Sequence, residues 1–291
     1  MTNVSATTTI LSWNLPPTIL VLLGLASPLT MLLSAPVLAI SIAFLRYCYL
    51  RDPTNAAHFE TLFYTLLATG TIGVAGVSTI QGTLLKPIAN LLFGSQATEY
   101  FTEFTRSNIN DLSDVDKKRR KQMAWSWRYI AFLFLFTFGL AALSEEVLKY
   151  SGIVTARRFG SVETGREYLQ TAIAATLGFS TVENIAFLYA GRHDSAAMLA
   201  LTTVERIVLG MPGHALSGCL LALGVMRGGE VGWVQLFFSP VVYHGLWDFS
   251  LFSISAANGN VGWVHPKDVG SGMAVLGVAV RSEMGSLGVV W

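Results

Sequence analysis

Long apolar runs constrain this chain more than any other feature of its sequence. The stretch YIAFLFLFTFGLAAL, residues 129–143, contains no charged side chain. Of the 291 residues, 52% are hydrophobic and 13% are charged, whereas soluble domains carry roughly 25% charged residues. A membrane-spanning helix needs about 20 predominantly apolar residues, and several runs reach that length. We therefore predict an all-α fold, a polytopic transmembrane helical bundle.

The apolar runs predict seven or eight spans. The first run, 19–45, could form one long span or a tight hairpin broken near Ser27 and Pro28. A weaker run at 84–94 could be interfacial or re-entrant. The remaining spans are expected at 62–80, 129–151, 169–191, 196–226 and 232–256, with a glycine-rich candidate at 272–280.

The chain divides into four predicted regions. These are N-terminal spans at 1–94, a polar basic cytoplasmic loop at 95–128, a catalytic-type bundle at 129–256, and a C-terminal span and tail at 257–291. The loop holds five consecutive basic residues at 117–121, which could bind lipid or a partner but more often keep a loop cytoplasmic. The net charge of +1 indicates no nucleic-acid partner. Cys48 and Cys219 lie in apolar stretches and are predicted to be buried, without a disulfide or zinc.

Ionisable residues within the predicted spans are the main functional signal. A charge near the bilayer centre costs about 2.5–3.5 kcal/mol on insertion scales, so such groups are expected to pair inside the bundle. Proton-exchanging groups held in a low dielectric are what water activation requires. The residues concerned are Glu145, Glu146, Lys149, Glu183, Arg206, His214, His244 and Asp248.

Helical spacing predicts which of these groups can pair. At about 100° per residue, Lys149 falls between Glu145 and Glu146. Lys149 would neutralise one carboxylate while the other projects into the bundle. His244 and Asp248 lie one helical turn apart, so the carboxylate could orient the imidazole or share a metal with it.

Two further spans support one polar interior. Glu183 lies about mid-span in GFSTVENIAFLYAG, where Asn184 is its only adjacent polar residue, so a headgroup location does not explain it. A third span places a set of residues within an arc of about 80°, provided that Pro212 does not rotate the helix far. That set is Arg206, Gly210, His214 and Ser217.

Depth presents a difficulty for this interior. Counted from Tyr129, Glu145 would lie about 24 Å along its helix, and Glu183 about 21 Å in from the far side. In a hydrocarbon core of about 30 Å, the two would differ in depth by roughly 15 Å. We therefore expect the first helix to start deeper, or residues 155–170 to re-enter the membrane.

Four motifs in order carry a family resemblance. They are EEVLK (145–149), FSTVEN (179–184), RIVLGMPGHALSG (206–218) and HGLWD (244–248). Neither HExxH nor GxSxG nor a Walker loop occurs, which excludes soluble-type zinc and serine hydrolases. The motifs resemble the PrsW family of intramembrane proteases, part of the superfamily of CAAX prenyl proteases and bacteriocin-processing enzymes. The resemblance covers about 105 residues.

The resemblance implies hydrolysis of a peptide bond within or next to the bilayer, in a membrane-anchored protein or peptide. It makes Glu145 or Glu146 the general base that activates water, with Lys149 tuning it. The remaining roles follow the motifs: Glu183, His214 and His244 would bind the substrate carbonyl, the oxyanion or a metal, and Asp248 would hold His244. The family often has Asn at the last position, so Asp248 adds a charge that favours an imidazolium or a metal at His244.

The sequence is compatible with more than one cofactor and more than one reaction. Glu183, His214 and His244 could form a zinc site with an open water position, or the glutamates could act without metal. Spacing does not decide, because the ligands come from different helices. The other functions to consider are acid–base isomerisation or cyclisation of a lipid by a membrane enzyme, and a non-catalytic scaffold or transporter. A transporter would be expected to show inverted repeats, which the sequence lacks.

Overall fold

The computed structural model describes residues 4–262 except 105, 107–111, 194 and 228–231. These residues form helices and contain no β-strand. Six of their helical segments are long and apolar enough to cross a membrane. The all-α polytopic prediction is confirmed, and the count is close to the predicted seven or eight. The candidate span at 272–280 lies outside the described residues. The six segments are Ala6–Ala26, Pro28–Arg51, Ala56–Phe104, Trp127–Phe159, Gly165–Ala190 and Ala196–Met226.

The described part of the chain contains twelve α-helices. In chain order they are α1 (Ala6–Ala26), α2 (Pro28–Arg51), α3 (Ala56–Ala68), α4 (Val74–Phe93), α5 (Ala97–Phe104), α6 (Asp114–Ala124), α7 (Trp127–Phe134), α8 (Leu143–Phe159), α9 (Gly165–Ala190), α10 (Ala196–Glu205), α11 (Met211–Met226) and α12 (Trp233–Ala257). Three π-helical segments join neighbouring helices, at Thr69–Gly73, Leu135–Ala142 and Arg206–Gly210, and a 3₁₀ turn covers Gly94–Gln96.

The first apolar run is broken, as the hairpin alternative predicts. Helix α1 ends at Ala26 and α2 begins at Pro28, where proline is tolerated because the first helical N–H has no intrahelical partner. The Ser27 hydroxyl accepts the N–H of Thr30 and so caps α2. The two helices pack against each other.

Two predicted segments do not correspond to separate candidate spans in the structure. The weaker run 84–94 belongs to the continuous helical segment Ala56–Phe104, whose 49 residues exceed the length of one span. The predicted span 232–256 is helix α12, Trp233–Ala257, but this helix is not among the six apolar candidates. It carries two tryptophans, a proline and ionisable groups, which lower its mean hydropathy.

The chain separates into two compact units. The first unit comprises Met1–Val77, Glu145–His193 and Thr203–Val241. The second unit comprises Ser78–Ser144, Asp194–Thr202 and Val242–Trp291. The four-region division expected from the sequence stays a prediction, as does the cytoplasmic location of 95–128, where the structure places helices α5 and α6.

Helix α9 is the centre of the first unit. It packs against α2, α3 and α11, and small residues allow the approach. A Cβ atom on Gly178 would lie 2.1 Å from the carbonyl oxygen of Leu66, and one on Gly218 would lie 2.3 Å from Thr176 Oγ1. Small residues at crossing points let membrane helices come this close. The close packing fixes the positions of the polar side chains on α9 and α11.

An aromatic cluster forms the core of the second unit. Phe93 stacks on Tyr100 with ring centroids 3.7 Å apart, and Phe132 packs against Phe93 at 5.4 Å. Beside this core, the buried Arg120 forms an ion pair with Glu103. Burial lowers the pKa of the Arg120 guanidinium, and its hydrogen bond to Glu103 opposes that shift.

Candidate active site

A fully buried ion pair lies on helix α8. Lys149 Nζ is 2.6 Å from Glu146 Oε1, and neither side chain is exposed to solvent. The same ammonium donates to Ser217 Oγ at 2.8 Å. The hydroxyl of Ser217 in turn donates to the carbonyl of His214 at 2.9 Å. Lys149 therefore neutralises one of the two adjacent glutamates, as its helical position predicts, and that glutamate is Glu146.

The imidazole of His214 lies between two carboxylates. Its Nδ1 is 3.9 Å from Glu145 Oε2 and its Nε2 is 3.4 Å from Glu183 Oε2. Nδ1 is also 3.4 Å from Lys149 Nζ, and the ring makes an edge contact with Phe179 at 5.6 Å between centroids. Side chains from α8, α9 and α11 thus converge within the first unit, as the sequence predicts for Glu145, Glu183 and His214.

A buried arginine holds the carboxylate of Glu183. Arg206 donates from Nη2 to Glu183 Oε2 at 2.7 Å and from Nε to Asn184 Oδ1 at 2.5 Å. The Phe187 ring lies 4.3 Å from the guanidinium, in a cation–π contact. Arg206 is 0% exposed, so the charge of Glu183 is compensated by a fully buried guanidinium.

Local helix geometry contributes to this convergence. The π-helical segment Arg206–Gly210 directly precedes α11, which carries His214 and Ser217. A second one, Leu135–Ala142, ends three residues before Glu145. Single π turns are rare in helices and are frequent at functional sites. They displace the later residues around the helix axis, so spacing at 100° per residue gives only approximate directions.

The expected difference in depth between Glu145 and Glu183 does not arise. Helix α8 continues to Phe159, beyond the predicted end at 151, and α9 begins at Gly165. Glu145 therefore lies about 14 residues from this turn and Glu183 about 18 residues from it, a difference of about 6 Å. The close approach results from a longer helix.

His244 and Asp248 form a pair in the second unit. His244 Nε2 is 3.5 Å from Asp248 Oδ2, and both side chains are buried. This agrees with the predicted spacing of one helical turn on α12. Their participation in one site with Glu145 and His214 stays a prediction.

Three polar residues of the first-unit cluster are not among the predicted catalytic residues. Arg206 and Ser217 share the predicted arc with His214, and Asn184 is adjacent to Glu183 in sequence. Those positions could have indicated that the three residues belong to the site, because a buried arginine needs a hydrogen-bond acceptor nearby. The sequence does not show, however, that Arg206 pairs with Glu183 and that Ser217 contacts Lys149.

The cluster has the groups needed for acid–base chemistry and for holding a cation. Carboxylates and imidazole nitrogens are the donor types that zinc takes in catalytic sites. Glu145 and His214 present these donors side by side, and both are buried. The residues present therefore fit a metal ion.

Comparison with known proteins identifies the family. The model of the PrsW family intramembrane metalloproteases matches residues 119–280, more than half of the chain. No curated protein and no solved structure matches the chain. The match confirms the resemblance of the four motifs and agrees with an integral, multi-pass membrane peptidase. The chain belongs to the PrsW family of intramembrane metalloproteases.

Proposed function

We propose that the chain hydrolyses a peptide bond of a membrane-anchored protein or peptide, using water activated by the cluster of Glu145, Glu146, Lys149 and His214. The observation that best supports this is the fully buried Lys149–Glu146 pair, whose ammonium is also 3.4 Å from His214 Nδ1. A buried ion pair is a poor device for stability, because desolvation offsets most of its attraction. Perturbed, paired ionisable groups are instead typical of functional sites.

The two adjacent glutamates would have different roles. A general base must be ionised to accept a proton, and Glu146 is the carboxylate that pairs with an ammonium, with Lys149 Nζ 2.6 Å from its Oε1. Glu145 instead has its Oε2 beside the imidazole of His214, at 3.9 Å. We therefore assign the base to Glu146 and metal binding to Glu145 and His214.

Other side chains would support these two roles. The sequence gives Glu183 as a metal ligand, but Arg206 already donates to its Oε2 at 2.7 Å. We propose instead that Glu183 orients His214 through the Nε2 side of the ring. The prediction that His244 supplies a further ligand, held by Asp248, is part of the same proposal. A bound metal would polarise the scissile carbonyl and acidify the attacking water.

The proton would move through Glu146 in both halves of the reaction. As the water oxygen bonds to the carbonyl carbon, Glu146 takes its proton. Glu146 then gives that proton to the amide nitrogen as the C–N bond breaks, so that one water is consumed and an acid and an amine are formed. Lys149, held by Ser217 at 2.8 Å, would offset the change in charge on Glu146.

The test is cleavage of natural membrane proteins. Purified protein is incubated with membrane vesicles that retain their own proteins, and new peptide termini are counted by mass spectrometry. We expect the wild type to generate new termini and Glu146→Gln to reduce their rate of appearance at least about 100-fold, the usual contribution of a general base.

Glu163→Gln is the matched control, because Glu163 is an exposed glutamate of the same unit. This variant should retain the wild-type rate. Equal rates for wild type and Glu146→Gln would exclude the proposed base.

A further inference from the structure

An apolar cavity in the first unit has no part in the proposed reaction. It has a volume of about 710 Å³ and lies among α1, α2, α3 and α9. Its walls include Leu38, Phe63, Leu66 and Val182, and none of the clustered acids or imidazoles lines it. It therefore has to be explained separately from the polar cluster.

The cavity is accessible from the outer surface of the helices. Ile42, Leu50 and Trp13 line it, with 44%, 63% and 71% of their surfaces exposed. Helices α1 and α2 are both long and apolar enough to span a membrane, so the surrounding solvent is hydrocarbon. Water does not fill an apolar cavity readily, because it finds too few polar partners there. A hydrocarbon chain is the occupant that this lining favours.

One charged side chain lies at the cavity wall. Arg46 lines the cavity and is exposed, and it forms no ion pair or side-chain hydrogen bond with the residues that the structure describes. It lies close to the end of α2 at Arg51. Arginines near the ends of membrane helices extend their head groups to the interface, and the guanidinium binds phosphate with two parallel hydrogen bonds.

From the cavity and this arginine together, we propose that an anionic phospholipid of the bilayer binds here. One acyl chain occupies the cavity and the lipid phosphate binds Arg46. The acyl chain then packs against the side of α9 that carries Thr181. The hydroxyl of Thr181 is hydrogen-bonded to that of Ser41 on α2 at 2.7 Å. The lipid stabilises the packing of α2 on α9 and of α1 on α2 and α3, and it has no role in proton transfer.

The test compares two lipids that differ in head-group charge. The full-length protein is reconstituted in nanodiscs of phosphatidylcholine with and without phosphatidylglycerol, and the lipids that remain bound are counted by native mass spectrometry. We expect wild type to retain phosphatidylglycerol in preference to phosphatidylcholine. Arg46→Ala should reduce that preference about fivefold, the contribution of one basic side chain near an anionic lipid.

Two variants make the result specific. Arg51→Ala removes an exposed arginine of the same helix that does not line the cavity, so it should keep the preference. Ile42→Trp fills the cavity and should reduce retention of both lipids. The proposal is wrong if wild type retains the two lipids equally, or if Arg51→Ala loses as much preference as Arg46→Ala.

Discussion

The interiors of the two units are built from different chemistry. In the first unit, buried charges connect the helices: Lys149 to Glu146 on α8, and Arg206 on the α10–α11 segment to Glu183 on α9. In the second unit, aromatic rings such as Phe93, Tyr100 and Phe132 fill the core. Among the described residues of that unit, buried charged groups are confined to two pairs outside this core, Arg120–Glu103 and His244–Asp248. Both units contain helices of a membrane protein, where lipid is as apolar as the side chains and packing drives association.

This difference indicates where the chemistry takes place. Aromatic packing contributes stability with little desolvation cost, whereas buried ion pairs are weak contributors to stability. A charged interior is therefore best explained by a function that needs charge. The comparison predicts that substitutions in the first unit change activity beyond their effect on folding, and that substitutions in the aromatic core change stability alone.

The largest effect is expected at the buried ammonium. Lys149→Met leaves the Glu146 carboxylate buried without its cation, and removing one partner of such a pair costs about 3–5 kcal/mol. The double variant Lys149→Met/Glu146→Gln should recover most of that stability while remaining inactive. Denaturation in detergent micelles measures the free energy of unfolding.

The surface pair Arg119–Glu99 is the control for this experiment. Its N–O distance is 2.7 Å, close to that of the buried pair, but the Arg119 side chain is 64% exposed. Arg119→Ala should cost no more than about 1 kcal/mol. If Lys149→Met costs as little as Arg119→Ala, the ammonium is not held in the interior.

An intermediate effect is expected where α3 and α9 cross in the first unit. In Gly178→Ala the new Cβ would lie 2.1 Å from the backbone oxygen of Leu66, so α3 and α9 must separate, at a cost of about 1–3 kcal/mol. Gly76→Ala is the matched control, because a Cβ there has no neighbour within 4 Å. Thermal unfolding should show a lower midpoint for Gly178→Ala alone; equal midpoints would exclude this close crossing.

The smallest effect is expected in the aromatic core. Phe93→Leu keeps an apolar side chain but loses the stacking on Tyr100 at 3.7 Å, worth about 0.5–1.5 kcal/mol. Cleavage per folded molecule should stay at the wild-type value. A loss of activity larger than the loss of folded protein would contradict the separation between the two interiors.

Much of the fold can be predicted from the sequence. An apolar run of span length forms a helix in a membrane, because a helix satisfies all of its backbone hydrogen bonds internally. The break at Ser27 and Pro28 can also be predicted, because serine is a common N-cap and proline is tolerated at the first position of a helix. The end of α8 cannot, because the segment YSGIVTARRF that continues the helix to Phe159 is no longer a purely apolar run. The extra length places Glu145 and Glu183 at similar distances from the α8–α9 connection, so the depth difference calculated for a helix ending at 151 does not apply. A deeper start of the first helix, or re-entry of residues 155–170, stays a prediction.

Part of the candidate site can also be predicted from the sequence. Spacing on one helix predicts that Lys149 reaches one of two glutamates and that His244 reaches Asp248, and both pairs are present. Spacing cannot show that the partner of Lys149 is Glu146, nor that Arg206 holds Glu183. Glu145 and Glu146 are i−4 and i−3 neighbours of Lys149 on one helix, so spacing allows both partners. The contact of Arg206 with Glu183 joins two helical segments, and their crossing has no periodic signature in sequence.

Metal content of the two glutamate variants tests the central claim most directly. Wild type, Glu145→Gln and Glu146→Gln are purified and their bound metal is measured by mass spectrometry. We expect about one metal ion per chain in wild type and in Glu146→Gln, and a clear loss in Glu145→Gln, because Glu145 is assigned as a ligand and Glu146 is not. Full metal content in Glu145→Gln, or none in wild type, would contradict this account of the cluster.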